Sequence, residues 1–294
     1  MNKPKALNSG LHRGISPKRR IVNASMLTLT GIFTLFSISA LFFILGYLLY
    51  NGISSLSWDF FTKLPKPTGE VGGGMANAIV GSGKILLLAT IIGVPLGFMA
   101  GVYLAEYAGR TFAFIVRYVT DLLNGVPSIV IGIFAYAMVV RPMKHFSTLA
   151  GGIALGIMMI PIAVRTTEAF LRAVPVSLRE GAMALGANKA AAIFTVVVPA
   201  AIQGLTSGMM LNLARVAGET APLLFTALGN MYWSSGWSQP SASLPVMIYQ
   251  YAISPYEDYH RQAWAAGFVL LALVLSINIT ARMVISRHAS TARR

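Results

Sequence analysis

The most informative segment of the chain is residues 173–200, which read AVPVSLREGAMALGANKAAAIFTVVVPA. This segment is too polar to cross a membrane, yet it separates two long apolar segments at residues 149–172 and 196–228. Its pattern of apolar and turn residues is also too regular for a disordered linker. The segment therefore predicts a structured connection between two membrane spans.

The connection is predicted to be a helical elbow. Pro175 ends the preceding span, and a short helix is expected from Leu178 to Leu185, with Ser177 near its N-cap. Gly186 then supplies the turn before a second helix, because glycine tolerates backbone conformations that other residues avoid. We refer to residues 173–199 as the elbow.

Composition places the rest of the chain in a membrane. Of the 294 residues, 55% are hydrophobic and 11% are charged, which is far from the balance of a soluble domain. The net charge of +14 comes from Lys and Arg that cluster at the ends of apolar runs, so a nucleic-acid partner is not expected. The absence of cysteine excludes disulfides and thiolate chemistry.

Six segments are apolar and long enough to cross a hydrocarbon core of about 30 Å. They lie at about residues 26–50, 76–105, 119–140, 149–172, 196–228 and 263–285. Only helices or closed barrels satisfy the backbone in lipid, and runs this continuously apolar do not alternate as barrel strands do, so an all-α polytopic protein is predicted. Asp121 and Asn124, just before Pro127, predict a broken or kinked entry to the third span. One transmembrane domain at 26–286 is expected between tails at 1–25 and 287–294.

The flanking charges predict the orientation. With both termini inside, 15 basic residues flank the spans on the cytoplasmic side and 5 on the outside. The elbow is then cytoplasmic, and the long loops at 51–74 and 229–262 lie outside, where they could receive a partner. The sequence thus predicts a multi-pass protein of the bacterial inner (plasma) membrane with both termini in the cytoplasm.

The elbow carries a recognisable motif. Glu180, Gly181 and Ala182 are followed by Gly186 and, at the end of the elbow, by Pro199. This pattern resembles the EAA-type loop of ABC importer permeases, with Gly181 in place of the second alanine. The resemblance implies a type I importer permease (MetI-like) fold, in which these five residues couple the permease to a cytoplasmic ATPase.

The chain itself lacks a nucleotide site. Gly81 and Lys84 superficially suggest a phosphate-binding loop, but Ala78 and Ile85 occupy positions where a Walker A motif needs Gly and Ser or Thr. ATP hydrolysis is therefore expected in a separate subunit. No catalytic residue, metal site or cofactor is predicted, since the four histidines lie in tails or loops and no H-E-x-x-H occurs. A polytopic membrane enzyme is the alternative from another class.

Three further stretches narrow the family. They are GVPSIVIG at 125–132, GIMMIPIAVRTTE at 156–168 and ARVAGETAPL at 214–223. These stretches resemble the phosphate permeases of the PstA and PstC families from about residue 76 to 281, and the short N-terminal tail favours PstA. A permease of the same fold for another oxyanion, such as molybdate or sulfate, stays open, as does a subunit that assembles without lining a path.

The resemblance also implies the partners. They are a PstC-like second permease subunit, two cytoplasmic ATPase subunits, a periplasmic phosphate-binding protein, membrane lipid and inorganic phosphate as the substrate.

Charged residues inside the spans are the candidate substrate pathway. Arg215 and Glu219 are spaced to form an i,i+4 pair on one helix face. The two charges either neutralise each other so that the helix can insert into the membrane, or contact a transported anion. Arg165 and Glu168 lie near the inner end of the fourth span. They either help to set the orientation of the span in the membrane or form part of an inner gate.

Overall fold

The computed structural model describes residues 17–291, and the side chains of residues 17–283. Much of the predicted N-terminal tail and the end of the C-terminal tail lie outside these residues. The chain separates into two compact units, Met1–Tyr50 and Asn51–Arg294. The assignment of 26–286 to a single domain stays a prediction.

The described residues form thirteen α-helices and no strand beyond one isolated bridge between Pro65 and Gly73. In chain order, α1 to α13 are Pro17–Ser54, Trp58–Thr62, Ala76–Glu106, Arg110–Gly125, Ser128–Ala135, Arg141–Met143, Thr148–Ala173, Val176–Ala184, Lys189–Ala192, Val198–Ala217, Ala221–Leu224, Leu244–Ala252 and Glu257–Thr291. Single π-helical turns at Tyr136–Val140 and Ile193–Val197 join α5 to α6 and α9 to α10.

Within the described residues, five helical segments are long and apolar enough to cross a membrane, and a sixth candidate is a bent pair. That pair, Arg110–Gly125 and Ser128–Met143, is bent by 99°. The break falls at Val126 and Pro127, whose ψ angles of 129° and 136° are extended. Proline disfavours helical backbone in the residue before it, so the predicted kink of the third span is confirmed as a complete break.

Helix α1 is 38 residues long and carries no charge after its first turn. Its length of about 57 Å exceeds the hydrocarbon core, so the predicted span at 26–50 fits within it. The described part of the helix extends beyond the predicted span to Pro17, because nothing between Pro17 and Ser25 interrupts helical backbone.

The fifth predicted span, 196–228, is wrong at its C-terminal end. Helix α10 stops at Ala217 with Gly218 as its C-cap, and the chain turns before the four-residue α11. Gly218 is a poor helix former, and Pro222 cannot continue the hydrogen-bond ladder of α10 because it has no N–H group. Residues 218–228 therefore do not extend the span.

Helices α3 and α7 form the centre of the second unit and are interlocked by glycines. A Cβ atom on Gly93 would lie 2.5 Å from the Met159 Cβ, and one on Gly101 would lie 2.5 Å from the Thr167 Cβ. Gly97, between them, faces Ala163 even more closely. The two helices run in the same direction, since each step along α3 matches a step along α7. Small residues at every fourth position allow this backbone approach.

The end of the bundle opposite the elbow is closed by a loop at residues 225–243, which we call the far-end loop. Its carbonyls at Gln239 and Trp237 accept hydrogen bonds of 2.9 Å from the first N–H groups of α7, at Thr148 and Leu149. Lys84 of α3 donates to the Ser234 carbonyl at 3.1 Å and lies 5.9 Å from the centroid of the Trp237 ring. Lys84 thus holds this loop.

The α3–α7 interlock predicts a sharp contrast between two glycines of the same helix. Gly97→Ala should lower the free energy of unfolding by about 1 to 3 kcal/mol, because the new methyl group overlaps Ala163. Gly83→Ala should leave it unchanged or raise it by up to about 1 kcal/mol, because no atom lies within 4 Å of the new Cβ and alanine favours helix.

Thermal unfolding of the purified protein in detergent measures both changes. Equal midpoints for the two variants would contradict the interlock.

Candidate functional site

A cleft of about 780 Å³ opens among α4, α7, α10 and α13. Three arginines from three different helices lie at its wall: Arg165, Arg215 and Arg282. The amides of Asn124 and Asn212 also line it. Asp and Glu are absent from the described residues that line the cleft, so the charged residues of its wall are all cationic.

Arg215 lies in the last turn of α10, where the helix dipole favours a cation. Its side chain is exposed to the cleft, and no ion pair among the described residues includes it. The predicted pairing with Glu219 on one helix face is wrong. Because α10 ends at Ala217, Glu219 lies in the following turn, and it does not line the cleft.

Asn212 lies one turn before Arg215 on α10 and is 2% exposed. Its Nδ2 donates to the Met159 carbonyl of α7 at 3.0 Å, which fixes the orientation of the amide because a carbonyl can only accept. The Oδ1 atom has no hydrogen-bond partner in the described structure. A buried acceptor thus lies beside the cationic wall.

Glu168 is the centre of a charge cluster next to the cleft. Its carboxylate is 4% exposed and receives Arg117 Nη2 at 2.6 Å, Arg172 Nε at 3.1 Å and Arg165 Nη1 at 3.4 Å. Arg165 also contacts Asp121 at 3.1 Å through its Nε atom. Three cations share two carboxylates, so the cluster keeps an excess positive charge, and Arg165 belongs to both the cluster and the cleft wall.

The elbow is present as two short helices joined by a tight turn. Gly186 has a φ angle of +89°, which favours glycine, and the Asn188 side chain caps α9 by accepting from the Ala191 N–H at 2.8 Å. The first helix spans Val176–Ala184 with Pro175 as N-cap, and not Leu178 to Leu185 with Ser177 as N-cap. Proline already holds the φ angle needed at a helix start, so the helix begins as soon as α7 ends.

The motif residues lie on this exposed elbow. Glu180, Gly181 and Gly186 are exposed and Ala182 is half-buried, while Pro199 stands in the first turn of α10. None of the nine residues of α8 is buried, and Leu185 is 92% exposed. Such a concentration of exposed apolar and motif residues outside a membrane span is typical of a protein-docking surface.

Comparison with known proteins agrees with this architecture. A family described as the binding-protein-dependent transport system inner membrane component matches residues 93–289, which is more than half of the chain. The chain belongs to this family. Its all-α importer-permease fold is thereby confirmed, as is its place among multi-pass inner-membrane permeases.

Individual relatives of this permease are similar over most of their length. A protein of Yersinia pestis named phosphate transport system permease protein PstA is 45% identical over 270 residues, which cover 92% of each chain. Its namesake in Haemophilus influenzae is 44% identical over 267 residues, which cover 90% of this chain and 94% of the relative. The family resemblance drawn from the sequence motifs is confirmed.

Solved structures show the same fold at low identity. The permease is similar to a chain of a bacterial alginate ABC transporter, with a TM-score of 0.65, 14% identity and coverage of 92% of this chain and 96% of the other. It is also similar to a chain of the MetNI methionine ABC transporter, with a TM-score of 0.52, 18% identity and coverage of 74% and 94%.

Sequence reasoning found part of the site of this permease. Arg165, Glu168 and Arg215 were predicted, but their partners were not. Arg117 and Arg172 looked like flanking charges of the positive-inside pattern, and Asp121 looked like a kink residue. Only tertiary contacts bring Arg117 and Asp121 of α4 to these α7 residues, since 51 positions separate Arg117 from Glu168. Arg172 is one helical turn after Glu168 on α7 itself, so the i,i+4 spacing could have indicated this pair. For Asn212, the sequence signal is a polar residue inside an apolar helix.

The charge cluster predicts that Glu168→Gln destabilises the permease. Removing the charge of the buried carboxylate weakens its bonds to three partly exposed arginines, which should cost about 1 to 2 kcal/mol in the free energy of unfolding. Glu70→Gln is the matched control, because Glu70 is exposed and forms no salt bridge in the described structure.

Thermal unfolding in detergent separates the two variants. A Glu168→Gln midpoint equal to that of the Glu70→Gln control would contradict the role of Glu168 as the centre of the cluster.

Proposed function

We propose that this chain is one of the two permease subunits of an ATP-driven importer of inorganic phosphate and forms half of the translocation pathway. The observation that carries the proposal is the cleft wall with three arginines and no acidic residue in the described structure. The relatives named PstA support phosphate as the substrate over molybdate or sulfate. A family of transport components also argues for a permease and against a membrane enzyme.

The arginines suit an oxyanion substrate. A guanidinium group presents donors in a planar fork that binds phosphate oxygens in pairs, and it stays charged at every physiological pH. Arg215 has no competing carboxylate, so it is the first contact that we assign to the substrate. Arg165 is shared with Asp121 and Glu168, so a passing anion takes a donor that these carboxylates otherwise hold.

Glu168 and Glu219 then have different roles. Glu168 holds the surrounding arginines in place and offsets part of their positive charge. Glu219 lies in the turn after α10 and is half-buried, away from the cleft wall. We therefore assign the substrate pathway to Arg215 and Arg165, with Glu168 as the counter-ion, and place Glu219 near the entry to the pathway without a direct contact.

A subunit that forms half of a translocation pathway requires partner subunits. We propose a PstC-like second permease subunit that completes the pathway across the cleft, two cytoplasmic ATPase subunits and a periplasmic phosphate-binding protein. Membership of a binding-protein-dependent transport family supports the ATPase and the binding protein. The exposed α8, with Glu180, Gly181 and Ala182, is the surface proposed for the ATPase.

The orientation follows from the charge asymmetry and the position of the elbow. We propose that both termini and the elbow are cytoplasmic, and that the far-end loop faces the periplasm, where the binding protein docks. The basic residues that flank the spans at the elbow end support this orientation.

The orientation is tested with single cysteines, because the natural chain has none. His145→Cys should react with a membrane-impermeant thiol reagent in cells whose outer membrane is permeabilised, whereas Ala190→Cys should not. Both side chains are exposed, so a difference reports sidedness and not burial. Ala190→Cys should react in inverted vesicles stripped of the ATPase. The reverse pattern would overturn the proposed orientation.

The substrate role of Arg215 is tested by Arg215→Gln, which keeps a donor but removes the charge. Uptake of labelled phosphate into cells that lack the natural chain should fall at least about tenfold, since a charge-assisted hydrogen bond contributes roughly 1.5 to 3 kcal/mol. Arg261→Gln, at an exposed arginine of α13 away from the cleft, should retain uptake.

Assembly is measured in the same cells by co-purification of the ATPase subunit. An Arg215→Gln complex that assembles and takes up phosphate at the natural rate would exclude this residue from the pathway.

A further inference from the structure

The elbow makes polar contacts with the bundle through residues that lie outside its own motif. Arg179 of α8 points away from the exposed surface of the elbow toward Glu106, the last residue of α3. The Nη2 and Nε atoms of Arg179 donate to Glu106 Oε1 at 2.8 and 3.1 Å. Both side chains are shielded from solvent, with 17% of Arg179 and 6% of Glu106 exposed.

The same guanidinium also closes the end of α7. Its Nη1 donates to the Val174 carbonyl and its Nη2 to the Leu171 carbonyl, each at 2.6 Å. These carbonyls lie at the C-terminal end of α7, where the last backbone acceptors lack an i+4 N–H donor. The Leu171 carbonyl accepts from the Val174 N–H at 3.2 Å as well as from Arg179. One side chain of α8 thus binds the C-terminal ends of both α3 and α7.

The second half of the elbow reaches the same residue. Lys189, the first residue of α9, donates through its Nζ atom to the backbone carbonyl of Glu106. The Lys189 ammonium also lies 4.5 Å from the centroid of the Tyr107 ring, where a cation is attracted by the aromatic face. Glu106 therefore accepts from α8 with its side chain and from α9 with its backbone.

The position of Glu106 is not explained by helix stability. A carboxylate in the last turn of a helix faces the negative end of the helix dipole, which is unfavourable. Nearly complete burial adds a desolvation cost that only a well-aligned partner offsets. The contact with Arg179 supplies that partner, so the two residues depend on each other.

Without this contact the first half of the elbow, α8, has a free joint to α7. The second half is held separately, because Ile193 and Val197 belong to a buried apolar cluster with α3 and α7. Helix α8 is connected to α7 through Val174 and Pro175 alone, both in extended conformation, and α8 itself buries no residue. A force applied to α8 would then rotate α8 about this joint and leave α7 in place. With Arg179 bound to Glu106, Val174 and Leu171, rotation requires the loss of several charge-assisted hydrogen bonds at once.

We infer that Glu106 is the anchor through which both halves of the elbow act on α3 and α7, so that ATPase movement at α8 displaces these two helices as one body. The inference rests on the proposed coupling function of the elbow and assigns a positioning role to Glu106 and Arg179. Neither residue belongs to the EAA-type motif.

The test compares the phosphate transported per ATP hydrolysed in proteoliposomes that contain the complete transporter. Glu106→Gln and Arg179→Gln should each retain bound ATPase and ATP hydrolysis, yet transport at least about threefold less phosphate per ATP. Arg110→Gln is the matched control, since Arg110 is an exposed arginine four residues after Glu106 in sequence, and it should keep the natural ratio. Natural ratios in both anchor variants would overturn the inference.

A covalent bridge tests the same idea without charge. In the double variant Glu106→Cys and Arg179→Cys, transport per ATP should be low, and a short bifunctional thiol reagent should restore it to at least half of the natural ratio. The chain has no other cysteine that could react. If α8 must swing relative to α3 during transport, the bridge will instead block the remaining transport, and the inference fails.

The readout separates this inference from the proposed substrate. If the natural complex transports a different oxyanion, the amount of that ion transported per ATP is measured in place of phosphate, and the role of the anchor is still tested. Loss of the ATPase subunit from Arg179→Lys as well as from Arg179→Gln would show that the contact maintains the docking surface and does not transmit force, which also overturns the inference.

Discussion

The close approach of α3 and α7 is the constraint on which the other features of the bundle depend. Between helices in lipid there is little hydrophobic driving force, so association relies on van der Waals contact and polar bonds. Gly93, Gly97 and Gly101 remove the side chains that would separate the two backbones. This contact fixes the position of α7 along α3. Helix α7 in turn carries one side of the cleft, the Glu168 carboxylate of the charge cluster and the carbonyls that the elbow binds.

The two buried carboxylates, Glu168 and Glu106, are both stabilised by arginine side chains. Glu168 and Glu106 are each almost inaccessible, and each lies against guanidinium groups from another helix. A lone buried carboxylate would be costly, but a carboxylate shared by several donors also orders the elements that supply them. Because arginines outnumber carboxylates around Glu168, the cluster binds α4 to α7 and still leaves the neighbouring cleft wall cationic.

The sequence predicts local features well and long-range contacts poorly. The break at Pro127 and the turn at Gly186 depend on the residues themselves, so both were predicted correctly. The Arg215 and Glu219 pair failed because its spacing assumes a continuous helix, although Gly218 and Pro222 both signal an end. Contacts such as Arg179 with Glu106 depend on how α3 and α7 lie in space, which neither spacing nor periodicity reports.

Helices α3 and α7 are also both easiest to bend at the same height. Pro95 lies inside α3 between Gly93 and Gly97, and Pro161 lies inside α7 between Met159 and Ala163, the residues that those glycines face. Each proline removes one backbone hydrogen bond, so both helices resist bending least at the same height. On one side of Pro95 and Pro161, toward the far-end loop, the helices are held by that loop. On the other side, toward the elbow, α7 carries Arg165, Glu168 and the elbow contacts. A displacement of the elbow end therefore reaches the cleft before it reaches the far-end loop, which places the deformation of the pair beside the cationic wall and not at either end of the bundle.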